Sequence, residues 1–162
     1  MKRHAWLAPA IRSILFLTLA ILVCPSRTIA GMTSSEVQAV LEFVKKADQG
    51  DPAAQFQLGL CYAKGQGVEK DLARACMWYR KAAAQGYSEA QFGLALCYGR
   101  GEGVARDDVE ACAYLSLAAF EFQDARKELV ALKGKLTPNQ IAAVRARVSA
   151  LSKEIGIKAG GR

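Results

Sequence analysis

Between Pro52 and Ala83 the apolar positions recur at helical spacing, break, and recur again. Ala54, Leu58, Cys61 and Tyr62 fall on one side of a helix turning by about 100° per residue. Gly65 and Gly67 interrupt the pattern, and Leu72, Cys76, Tyr79 and Ala83 resume it. The spacing predicts a helical hairpin. Moved on by 36 residues, the stretch from Gly50 meets the stretch from Gly86 without a gap, and Gln55/Gln91, Phe56/Phe92, Leu58/Leu94, Cys61/Cys97, Gly67/Gly103 and Asp71/Asp107 are identical pairs. A self-match of this length points to a solenoid of stacked units.

Asp71 and Asp107 stand where an N-cap belongs, and Gly86 where the second helix must turn back. Two units are too few to bury both end faces, so the flanks are expected to supply the rest. Phe43–Gly50 sits 36 residues before Tyr79–Gly86, which makes residues 34–49 the second helix of an incomplete first unit, with Thr33–Glu36 as its capping box. Beyond Ala119 the period decays. Leu136–Gln140 opens a new helix with Thr137 as cap and Pro138 at its first position, and Ile141, Val144, Val148, Leu151 and Ile155 form one apolar stripe up to Gly156.

The expected organisation is therefore all-α: a half-repeat helix over 34–49, repeats over 50–85 and 86–121, capping helices over 122–156 and a disordered tail over 157–162, in a single domain spanning 31–162. Residues 1–30 read as a secretory leader, because Lys2, Arg3 and Arg12 precede an 11-residue apolar run, Ile14–Cys24, that leads to small residues at Thr28 and Ala30. The run is short for a membrane span, which needs about 20 residues. Cleavage near Ala30 would deliver the chain to the periplasm or the extracellular space. Cys24 suggests lipidation instead, but Val23 before it is larger than the residue such a cysteine usually follows.

The residues of the first unit resemble those of the Sel-one-like repeat family, tetratricopeptide-like α-solenoids. Ala54, Leu58, Gly59, Tyr62, Gly65, Gly67, Val68, Asp71, Ala75, Trp78, Tyr79, Ala82, Ala83 and Gly86 carry the likeness. The second unit departs at Ala95 and Tyr114, and at Phe120–Gln123 where the closing Ala-Gln-Gly is lost. The resemblance extends over residues 34–156 and implies an adaptor that binds other proteins on the curved inner face. Exported bacterial members often act in envelope signalling or assembly.

Charge and histidine content narrow the chemistry. The leader carries Lys2, Arg3, Arg12 and Arg27 and no acid, so the net charge of +7 becomes +3 without it. The only histidine is His4, so residues 31–162 hold no imidazole for acid–base work or metal ligation. No enzyme activity, cofactor or metal is expected. The alternative from another class is a secreted hydrolase or binder of the peptidoglycan or β-lactam type, although no serine begins an S-x-x-K motif.

Cys61, Cys76, Cys97 and Cys112 lack the close pairing of a zinc site. Either they are free core thiols, or export favours a disulfide, for which Cys76–Cys97 between the two units is the preferred pairing. The Gly-x-Gly motifs at Gly65 and Gly101 have no preceding strand and no following Lys-Ser/Thr pair, so they read as turns rather than phosphate cradles. Tyr62, Trp78, Tyr79, Tyr98 and Tyr114 read as core aromatics.

On the opposite side of each first helix lie Phe56, Leu60 and Lys64, repeated as Phe92, Leu96 and Arg100. If those helices line the inner curve, they form a groove for a protein segment with apolar and acidic side chains. Residues 124–162 hold nine Lys or Arg against three Asp or Glu. This allows weak association with anionic surfaces, the third reading, in which the protein is structural. Nucleic acid is not expected as a partner of an exported chain.

Overall fold

The computed structural model describes residues 33–156; the leader and its Cys24, and the tail over 157–162, lie outside them. Among the described residues there are seven helices and no strand: α1 Ser34–Asp48, α2 Pro52–Lys64, α3 Leu72–Ala83, α4 Ser88–Arg100, α5 Asp108–Ala118, α6 Gln123–Lys133 and α7 Pro138–Glu154. None is long and apolar enough to cross a membrane. Each of α1 to α5 packs on the next, so α2–α3 and α4–α5 are the hairpins of two successive units.

Local chemistry accounts for the helix ends. Thr33 Oγ1 accepts from the Glu36 N–H at 3.2 Å while Glu36 Oε2 accepts from the Thr33 N–H at 2.8 Å, and Thr137 with Gln140 builds the same reciprocal box on α7. Asp71 accepts from the Arg74 N–H at 2.9 Å, and Asp107 from the N–H groups of Val109 and Glu110 at 2.9 and 3.0 Å. Gly65 and Gly101 close α2 and α4 in the left-handed conformation, at φ of 74° and 70°.

The second glycine of each turn does something different. A Cβ on Gly67, which has φ of 66°, would lie 2.6 Å from the backbone oxygen of Glu36 in the first turn of α1. A Cβ on Gly103 would collide with the backbone oxygen of Leu72, in the first turn of α3. The turn after each first helix is thus pressed onto the start of the helix before it, and only glycine has room.

Two further contacts tie neighbouring units. Gln55 donates through Nε2 to the carbonyl of Ala47 at 3.2 Å, and Gln91 to that of Ala83 at 3.5 Å. Both glutamines are buried, and each adds a second hydrogen bond to a carbonyl at the C-terminal end of the preceding helix, which also accepts from the N–H of Gly50 or Gly86. Tyr79 of α3 lies between α2 and α4. A Cβ on Gly59 would come within 2.6 Å of its ring, and one on Gly93 within 3.4 Å. In the second unit Leu115 occupies the position of Tyr79, and Ala95 is tolerated where Gly59 stood.

The C-terminal end closes on α5, which packs against α4, α6 and α7. From Ala111 to Ala118 every residue of α5 except Ser116 is buried, because the helix is apolar on all sides. Of the stripe on α7, Val144 and Leu151 are buried, and Ile141, Val148 and Ile155 half-buried. Arg147 pins the helix by donating from Nε to Glu110 Oε1 at 2.6 Å.

The joint gives a test. Gly50→Ala meets a left-handed φ but no neighbour within 4 Å, so it should cost about 1 kcal/mol. Gly67→Ala adds a backbone collision and should cost about 2–4 kcal/mol. Urea unfolding of the two variants measures the difference; equal losses would mean that the close approach carries no weight.

Candidate partner-binding face

The predicted face comes from α2 and α4, and all six of its residues are described. Phe56, Leu60, Phe92 and Leu96 are half-buried, while Lys64 and Arg100 are exposed in the last turns of their helices. A cation there also suits the negative end of the helix dipole. The two Phe-Leu-cation rows repeat in position and exposure.

The phenylalanines are not free anchors. The Phe56 ring centre lies 5.6 Å from that of Tyr79 and 5.5 Å from that of Tyr87, and the Phe92 ring stacks on Phe122 at 5.6 Å. Tyr87 and Phe122 occupy the N-cap positions of α4 and α6, and neither makes a side-chain capping bond. The capping bond made by Asp51 at α2 is given up at these helices for an aromatic rung between units. Sequence reasoning missed Tyr87 and Phe122; the uncapped aromatic before each helix was the available signal. Burial pushes the Tyr87 phenol upward, so the hydroxyl stays protonated at neutral pH.

The other aromatics form a second arrangement. Tyr98 and Tyr114 stack with ring centres 6.1 Å apart and planes at 6°, and Arg80 donates from Nη2 to the Tyr98 hydroxyl at 3.0 Å. That hydrogen bond raises the Arg80 guanidinium further above its ordinary value. Lys81 stands over the Trp78 ring, 3.8 Å from its centre, and Arg74 over Tyr62 at 5.6 Å. Tyr79 and Tyr114 are buried and Tyr62, Trp78 and Tyr98 half-buried.

The glycine turns use their amides internally. The N–H groups of Gly65 and Gln66 both bond the Cys61 carbonyl, at 2.8 and 3.0 Å, and Gly101 and Glu102 bond that of Cys97 in the same way. These donors are spent on closing the helices and do not converge on a phosphate. Among the described residues no three His, Cys, Asp or Glu side chains gather as metal ligands would.

Part of the basic C-terminal region serves the fold. Arg126 donates to the carbonyls of Ala119 and Phe120 at 2.6 and 3.3 Å, closing the end of α5, and Arg147 is held by Glu110. A shallow cleft of about 410 Å³ lies nearby, lined by Leu136, Ile141, Val144 and Val148 with Lys133 and Arg145. It contains none of the six predicted residues.

The comparisons agree with this architecture. The Sel1 repeat model matches residues 52–87 and 88–119. No curated protein matches the chain. Among solved structures, a protective antigen present in uropathogenic Escherichia coli strains, displaying an SLR fold, is similar with a TM-score of 0.73 and 32% identity. The match covers 82% of this chain and 31% of that one. A Sel1 repeat protein from Oxalobacter formigenes is similar with a TM-score of 0.58 and 32% identity, over 76% of this chain and 55% of the other. The chain thus spans well under two thirds of either protein.

A double-mutant cycle tests the rung. Phe92→Ala and Phe122→Ala should each destabilise, and the pair should couple by about 0.5–1.5 kcal/mol in thermal or urea unfolding. Strict additivity would mean the rings do not support each other.

Proposed function

Because this chain is built on two Sel1 repeats, which generally serve as non-catalytic protein–protein interaction modules, we propose that it is an adaptor or regulator of the bacterial cell envelope that binds a segment of a partner protein. The observation that carries this reading is the repeated row on α2 and α4: Phe56 and Leu60 beside Lys64, then Phe92 and Leu96 beside Arg100. Half-buried rings held by Tyr79, Tyr87 and Phe122 offer a rigid apolar floor, so little side-chain entropy is lost when a partner covers it. The exposed cations select acidic side chains along the same segment and speed its approach. The leader read over residues 1–30 supports an envelope location.

Substituting Phe56 would not test this cleanly, because its ring also packs between units. The exposed cations separate binding from folding. Lys64→Glu/Arg100→Glu should leave the helical circular-dichroism spectrum intact and lower the melting temperature by no more than about 5–10 °C, the cost of reversing the charge at two helix C-termini. In crosslinking from an envelope fraction, the partner recovered with wild type should fall at least about tenfold, the effect of roughly 1.4 kcal/mol. Undiminished recovery of the same partner by a folded double variant would refute the face.

A further inference from the structure

Cys76 and Cys97 are not part of the binding face, yet the fold brings them together across the joint between the two units. Cys76 lies one turn beyond Leu72 on α3, and Cys97 lies in the last turn of α4. They are 1% and 8% exposed and belong to the same apolar core cluster. The close approach of Gly103 to Leu72 presses the turn after α4 onto α3. Glu102 of that turn then bridges the cysteines: its N–H bonds the Cys97 carbonyl at 3.0 Å, and its own carbonyl accepts from Cys76 Sγ at 3.1 Å.

The repeat supplies an internal comparison. At the preceding joint, 36 residues earlier, the same two positions hold Val40 and Cys61; at the following one they hold Cys112 and Lys133. Among the described joints, only the one between the repeats places a thiol on both sides. We propose that Cys76 and Cys97 are an oxidisable pair, converted by a disulfide oxidant into a covalent clamp between the first repeat and the second.

The chemistry divides the roles. Beside Cys97 the Cys76 thiol is drawn below its ordinary value, while the neighbouring Cys76 and burial push Cys97 upward. Cys76 loses its proton, and its thiolate attacks one sulfur of the external disulfide, breaking the S–S bond and expelling one thiolate. Cys97 gives up its proton as it attacks the Cys76 sulfur of the mixed disulfide and expels the second thiolate. The protein loses two electrons and two protons, and the oxidant is reduced to two thiols. Burial confines the attack to folding or to transient openings of the joint.

The test uses the full chain exposed to oxidised glutathione, alkylated, digested with trypsin and analysed by mass spectrometry without and with reductant. Cleavage after Arg74, Arg80, Lys81 and Arg100 puts Cys76 and Cys97 on separate peptides, Ala75–Arg80 and Ala82–Arg100. The expected product is these two joined, separating on reduction. Oxidation should also raise the melting temperature of wild type by roughly 5 °C or more, and leave Cys76→Ser and Cys97→Ser unchanged. Cys76 joined to Cys61, carrying glutathione alone, or still fully alkylatable after oxidation would overturn the proposal. The wild-type digest decides even if a serine variant does not fold.

Discussion

Everything in this molecule hangs on the approach of a glycine to the backbone of the helix before it. Gly67 against Glu36 and Gly103 against Leu72 fix how far each unit stands from the last. At that separation Gln55 and Gln91 reach the carbonyls of Ala47 and Ala83, and the Tyr79 ring fits between Gly59 and Gly93. A methyl group at either joint would force the units apart and lengthen the bonds from Gln55 and Gln91 to the carbonyls of the preceding helices. The glycine turns therefore serve as the bearing surfaces of the stack.

The same rule explains where the repetition stops. Leu115 replaces Tyr79 and Ala95 replaces Gly59, so the second unit is packed by a smaller side chain against a larger helix surface. From Ala111 onward α5 is then apolar on every side and needs more cover than one following helix provides; α6 and α7 both lie on it. The part-buried polar clamp from Arg147 to Glu110 fixes how α7 lies on α5.

Most of the fold was legible because helices, caps and turns are written locally. The boxes at Thr33 and Thr137, the caps at Asp71 and Asp107, and the period of 36 all depend on residues a few positions apart. The Sel1 likeness was legible for the same reason. Less could be read of the candidate face. Helical geometry brought Phe56, Leu60 and Lys64 to one side of α2, but not the rings of Tyr79 and Tyr87 that hold Phe56 from neighbouring helices. Gln55 and Gln91 were visible as an identical pair, whereas the carbonyls they reach lie eight residues back on another helix. Cross-unit contacts depend on the distance between units, and that distance is set by tertiary packing.

A repeat stack so tightly jointed offers a partner a rigid surface more readily than a moving one, and the two exposed cations are its least constrained part. Hydrogen–deuterium exchange of the complex with the partner recovered by crosslinking tests this most directly. The account predicts slower exchange on peptides covering Phe56–Lys64 and Phe92–Arg100, with α6 and α7 unchanged. Protection confined to α6 and α7, or none on α2 and α4, would contradict it.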